Sequence, residues 1–290
     1  MSVSKRIGLH GCISVLAIFV LACGDSTTAP ATRGTSANRV PSLPANLAAA
    51  SLTGRIVYVN SGLHVYNLAT STDVSLGLSG VNPEFSPDGT LIAYQSNGIS
   101  VMNSDGTNVR VVSASGANPS FDPTGTMIAF VNSGVWKIHV DGTGLTRLTT
   151  DDAHWPAWSP DGTQIAYGAP VGKGPSQLFL VNVDGTNRHQ GLTSGAVIDV
   201  AWQPSSRILL GISNGNYDLY SYDPGTASSL TRLTTSTTSD FEPSWSPDAT
   251  KISWTSGTSG KSGGIWIMNA DGTGKQGPVI PKGRQGSWGR

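Results

Sequence analysis

Six aromatic residues, Phe85, Phe121, Trp158, Trp202, Trp245 and Trp288, recur along this chain at steps of 36, 37, 44, 43 and 43 residues. Most are followed at once by a turn of the Ser-Pro-Asp-Gly type. A unit of about 40 residues that holds several short strands cannot bury its apolar surface alone. It must stack on copies of itself, and the radial solution is the four-stranded blade of a β-propeller.

The first full unit reads Asn82-Pro83-Glu84-Phe85-Ser86-Pro87-Asp88-Gly89-Thr90, then an apolar run over 91–94, Asn97-Gly98, a second run over 99–102, and Asp105-Gly106-Thr107. Pro and Asp-Gly punctuate the runs because tight turns need a fixed φ near −65° and a residue that tolerates positive φ. The runs are too short for helices and fit strands sandwiched between neighbouring sheets. The chain's 36 glycines and 17 prolines, with only 12% charged residues, agree with many short strands and tight turns. Later units repeat the pattern at Phe121-Asp122-Pro123-Thr124-Gly125, Trp158-Ser159-Pro160-Asp161-Gly162 and Trp245-Ser246-Pro247-Asp248-Ala249, while Trp202-Gln203-Pro204-Ser205-Ser206 is degenerate. Ala249 in place of glycine predicts a turn of a different type there.

Two leftover pieces set the blade count. Residues 55–76 contain three outer strands without an inner one, and Gln285-Gly286-Ser287-Trp288-Gly289 is an inner strand without outer ones. Joined, they complete a sixth blade and remove two exposed sheet edges. The expected fold is all-β, a six-bladed β-propeller closed by pairing of its N-terminal and C-terminal strands. The Trp158 to Gly162 block and Asp184-Gly185-Thr186 resemble the WD40-like (PD40) repeats of the TolB family, and the resemblance covers about residues 54 to 290. It implies a periplasmic six-bladed propeller whose final strand closes the first blade.

Lys5 and Arg6 followed by an apolar run from Ile13 to Leu21 read as an export signal, too short to span a bilayer. Val20-Leu21-Ala22-Cys23-Gly24 looks like a lipobox, which predicts a lipoprotein signal peptide over 1–22 and lipidation of Cys23. An ordinary secretory signal cut near Ala22 or Ala29 is the alternative. Residues 23–50, rich in Ser, Thr, Ala and Pro, read as a lipidated disordered tether. The propeller is then expected over 51–290, held in the bacterial cell envelope and in the outer membrane facing the periplasm or the surface. Of the two cysteines, Cys12 leaves with the signal, so Cys23 has no intramolecular disulfide partner.

The Ser-Pro-Asp-Gly and Asp-Gly-Thr turns keep similar lengths, whereas the opposite face varies, lengthening at Gly168 to Ser176 and Thr255 to Gly264. Variable loops on a rigid scaffold are where binding residues usually sit. The position three before each aromatic is Asn82, Asn118, Trp155, Asp199, Glu242 and Gln285, expected to ring the mouth of the central channel. His154 beside Trp155, and Asp240 with Phe241, are further candidates. An aromatic and polar rim of this kind can grip a peptide or a saccharide, the ring supplying apolar contact and the amides and carboxylates orientation; the alternative is that these groups simply hydrate a channel entrance and end strands.

Signals for chemistry are thin. Gly211-Ile212-Ser213-Asn214-Gly215 matches the G-x-S-x-G pattern, but it falls between two strands and not on the strand-to-helix elbow a nucleophile needs. Asn103-Ser104-Asp105-Gly106 lacks the acidic ligand an EF-hand loop requires and reads as a hairpin turn. His64 and His139 read as structural, so neither metal nor cofactor is expected. With 18 basic and 18 acidic residues the net charge is zero, which removes the electrostatic footprint of a nucleic-acid partner. The expected function is therefore a non-enzymatic, monomeric binding platform for an envelope protein, a peptide or a glycan. The alternative is a carbohydrate-active enzyme such as a propeller similar to oligogalacturonate lyases, for which only His154 is suitably placed.

Overall fold

The computed structural model describes residues 52–202, 204, 206–226, 229–258 and 261–290. The expected export signal, Cys23 and the expected tether lie outside them. The described residues form twenty-four strands in six four-stranded antiparallel sheets. Blades 1 to 5 begin with the inner strands Val81–Phe85, Ala117–Phe121, His154–Trp158, Ala196–Trp202 and Ser239–Trp245. Blade 6 takes its inner strand, Arg284–Gly289, from the far end of the chain and adds Arg55–Val59, Leu63–Asn67 and Thr72–Ser75. The closing register pairs Arg55 with Gly289, Ile56 with Trp288 and Val57 with Ser287.

The core lies between blades. Ile56 and Tyr58 pack against Ile265, Ile267 and Ile280 of blade 5. Val57 and Val59, one step along the same strand, pack against Ile92, Tyr94 and Met102 of blade 1. Successive side chains of a strand point to opposite faces, and both faces of a blade are covered, so the strand reads as an unbroken apolar run. The recurring aromatics fill the same wedges: Phe121 packs with Ala93, Val101 and Ile128, and Trp245 with Leu209, Leu219 and Ile252.

The turns after the aromatics share one mechanism. The Ser86 hydroxyl oxygen accepts the Leu91 N–H at 2.9 Å while its own hydrogen goes to Asp88, and Ser159 and Ser246 repeat this with Gln164 and Lys251. In blade 2 Asp122 does the work of both, accepting the Thr126 and Met127 N–H groups at 2.8 Å. Ala249 does not change the turn type. Its φ is 59° and its N–H donates to Ser246 O at 2.8 Å, as Gly89 does to Ser86 O. An alanine therefore holds a left-handed position that glycine would fill without steric cost. Thr255 to Gly264 is not the loop the sequence suggested. Thr255 pairs with Ile265, Ser256 with Gly264 and Gly257 with Ser262, because an antiparallel hairpin satisfies the backbone better than an open loop. Gly168 to Ser176 is likewise strand up to Pro170, leaving a loop of 171–175.

Candidate functional site

The inner strands surround a cavity of about 480 Å3 along the ring axis. At one end it is lined by the residues three before each aromatic: Asn82, Asn118, Trp155, Asp199, Glu242 and Gln285. At the other end Pro87, Pro123, Pro160, Pro204 and Pro247 form a collar, and Arg290 takes the sixth place.

A bulge in each inner strand aims the first ring inward. In blade 1 Val81 pairs with Gln95 and Glu84 with Ala93, so three steps on the inner strand face two on its partner. Blades 2, 3 and 5 show the same shift. Extra residues of this kind re-aim side chains at functional sites. The residue at the bend has positive φ: 49° at Asn82, 52° at Asn118, 45° at Trp155, 55° at Glu242 and 54° at Gln285. Asp199 is the exception, since the bulge of blade 4 falls at Ile198, between Val197 and Asp199.

Neighbouring inner strands stand too far apart to share a ladder, and side chains bridge the gap. The Glu242 N–H donates to Asp199 Oδ2 at 2.9 Å, the Gln285 N–H to Glu242 Oε2 at 2.8 Å, and the Asn82 N–H to Gln285 Oε1 at 3.1 Å. The Gln285 amide also donates to Asn82 Oδ1. A second tier lies one residue before each aromatic. The Trp288 N–H donates to Ser244 Oγ at 3.0 Å, the Phe85 N–H to Ser287 Oγ at 3.4 Å, and the Phe121 N–H to Glu84 Oε1 at 3.0 Å. The mouth chain thus runs through blades 4, 5, 6 and 1. Among the described residues Asn118 and Trp155, in blades 2 and 3, bond to no neighbour in this way. The second tier ends at blade 2, where the Ser120 hydroxyl donates back to Glu84 Oε1 at 3.4 Å, and blades 3 and 4 carry Ala157 and Ala201 at its position.

The channel acids are hard to ionise. Burial pushes Glu84 up to about 8, against the bonds from Phe121 and Ser120. Asp199 is raised well above the carboxylate range by burial and then by the Glu242 charge, and Glu242 is raised mainly by burial. The folded protein therefore holds more protons on these groups than the unfolded chain. Their contribution to stability is greatest near pH 4 and falls as pH rises toward 8. The turn aspartates Asp88, Asp161 and Asp248 shift downward, chiefly through their serine partners, and act only below that window. Replacing Glu84→Gln and Asp199→Asn keeps an oxygen for each backbone donor and removes the titration. The double variant should match the parent's melting temperature at pH 5 and exceed it by several degrees at pH 8.5. Parallel pH profiles for the two proteins would rule out this assignment.

All six predicted ring positions come together on the channel wall; the other two candidates do not. Asp240 is 2% exposed, and its carboxylate accepts Trp254 Nε1–H at 2.9 Å and Ser236 Oγ–H at 3.0 Å. It is a buried structural acceptor. His154 pairs with Gly168 and stacks at a tilt on Trp155, 5.5 Å between ring centres, beside the channel and not on its lining. Sequence reasoning missed Glu84, Ser244 and Ser287. Comparison of the place before each aromatic, polar in four blades, could have found them. It also missed the buried Asp218, paired with Arg232 at 2.6 Å.

Ser213 of the G-x-S-x-G match ends the strand Ile208–Ser213 and pairs with Tyr217 across a hairpin, so it has no nucleophile elbow. Among the described residues no group of three or more His, Cys, Asp or Glu side chains could hold a metal ion.

Residues 155–284 match the family model described as the TolB beta propeller domain. A curated "Protein TolB homolog" from Chlorobium luteolum is 34% identical over 103 residues, which is 35% of this chain and 23% of that protein, so the match spans about a quarter of the relative's length. The crystal structure of TolB from Acinetobacter baumannii superposes with a TM-score of 0.70 at 20% identity, covering 82% of this chain and 67% of that one. An oligogalacturonate lyase in complex with manganese shares the fold more loosely, with a TM-score of 0.54 at 15% identity over 74% of this chain and 69% of that one. At these identities the two structures speak for the fold alone.

Proposed function

We propose, on the premise that this chain carries a six-bladed β-propeller of the TolB type, that it is a non-enzymatic binding protein of the bacterial cell envelope. It is exported, lipid-anchored through Cys23, and grips a segment of another envelope protein at its channel mouth. One observation carries the reading. Four of the six mouth positions are tied to their neighbours, while Asn118 and Trp155 are left with a polar amide and an indole on the wall of an open cavity. Trp155 keeps a φ of 45°, rare for a bulky residue, without any lateral bond in return. Strain of this kind, of order 1 to 3 kcal/mol, collects at binding sites because surrounding structure holds it for a purpose. Trp is also the residue type most enriched among those that dominate binding energy.

Site-specific photocross-linking in cells tests the face. Benzoylphenylalanine placed at Asn118 should capture one discrete envelope protein. The same group at Val111, 67% exposed on the outer strand of blade 1, should capture none. Equal capture at both, or capture only at Val111, would move the binding face to the outer edge of the ring.

A further inference from the structure

We infer that the channel takes up one cationic side chain, a guanidinium or ammonium group on an extended segment of the partner, seated between the Trp155 ring and the carboxyl groups of Glu84, Asp199 and Glu242. The inference rests on the reading that the channel mouth is the binding face.

The carboxyl oxygens carry the argument. Asp199 is only 5% exposed; it spends Oδ2 on the Glu242 N–H, and no donor among the described residues reaches Oδ1. Glu84 takes both the Phe121 N–H and the Ser120 hydroxyl on Oε1, and no donor among the described residues reaches Oε2. Each acid thus uses one oxygen to hold the ring together and leaves the other over, and both residues line the same cavity. Neither oxygen is sealed off from solvent, so each stands open to the channel, where donors from a ligand can take the place of water. Glu84 and Asp199 also lack a counter-charge. The one basic residue lining the cavity is Arg290, at the proline collar on the far end, while Arg284 acts on Glu242 from outside the lining.

Size and shape narrow the class. A cavity of about 480 Å3 admits a long side chain with some water and excludes a folded element. Arg and Lys alone among side chains combine that reach with several donors and no acceptor. Trp155 lines the same cavity, and a desolvated cation held over the face of an indole makes a strong contact. Burial favours the protonated form of Glu84 and of Asp199 in the free channel. When the cation enters, a proton leaves to solvent and charge is balanced in place.

The test uses the full-length protein and two probes, N-acetyl-arginine methylamide and its neutral analogue N-acetyl-citrulline methylamide, followed by isothermal titration at pH 7.5. The arginine probe should bind at least tenfold more tightly. Glu84→Gln and Asp199→Asn, each of which keeps its structural oxygen, should reduce that preference to less than threefold. Equal affinity for the two probes, or a preference that survives both substitutions, overturns the inference. Should either variant fail to fold, the comparison of probes on the parent protein decides alone. A partner cross-linked at Asn118 that binds the Glu84→Gln and Asp199→Asn variants undiminished would sink this inference while leaving the mouth reading intact. Arginine preference without any cross-linked partner would keep the cation site in the channel and overturn the reading that an envelope protein occupies it.

Discussion

Ending the chain at Pro281 is expected to abolish the cooperative unfolding transition of the propeller, although only nine of 290 residues are lost. The removed piece contains Arg284–Gly289, the inner strand of blade 6, and leaves Arg55–Val59 without its partner on the channel side. Trp288 is 6% exposed and packs with Leu52, Ile56 and Ile265. Its Nε1–H donates to Thr53 O at 3.1 Å, and the Arg55 Nε–H donates to Arg290 O at 2.9 Å. Gly289 lies so close to Phe85 that an added Cβ would stand 2.5 Å from that ring, so blade 1 loses a wall as well. Deleting one buried Trp side chain costs about 3 to 5 kcal/mol. A typical domain has about 5 to 15 kcal/mol in total, and the broken ring also exposes the edge of Arg55–Val59. Circular dichroism should show a broad, low-temperature loss of structure. Trp288→Phe, which keeps one aromatic ring in the wedge but loses the rest of the indole and one hydrogen bond, should cost about 2 kcal/mol and leave a cooperative transition. A sharp transition at the parent's temperature in the shortened protein would contradict ring closure by the two ends.

Much of this architecture was legible from spacing. The six aromatics and their turns mark the inner strands, and the orphan pieces at residues 55–76 and 285–289 required each other. The six channel-mouth positions followed by counting back three from each aromatic, because the bulge occurs at nearly the same place in every blade. Asp240 was misplaced because it lies only two residues before Glu242, on the other side of a bulge that reverses which side chain faces the channel. Glu84 was missed because its role depends on a bond to Phe121 in the next blade, 37 residues away, which no local pattern encodes. The extra length at Thr255 to Gly264 could not be divided between loop and strand, since Gly, Ser and Thr suit both. Nor does spacing reveal that the lateral bonds cover four positions and spare two.

The central claim, that the free sector of the mouth is kept for a partner and not for the fold, puts opposite demands on Trp155 and the rest of the ring. Asn tolerates the left-handed conformation, and Asn82 and Asn118 already occupy it in the two preceding blades. Trp155 is half-buried, and its ring stacks on His154, which lies outside the core clusters. Trp155→Asn should therefore leave stability within about 1 kcal/mol of the parent, because relief of the backbone strain offsets removal of the indole from His154, whereas a core Trp costs about 3 to 5 kcal/mol. For the partner, loss of a central aromatic anchor should cost at least about 2 kcal/mol, roughly a thirtyfold weakening. The measurement to make is the melting temperature of Trp155→Asn beside its affinity for the protein cross-linked at Asn118. An unchanged or raised melting temperature with affinity down thirtyfold or more is the result this account predicts. A melting temperature lowered by ten degrees or more, or affinity unchanged in a well-folded variant, would contradict it.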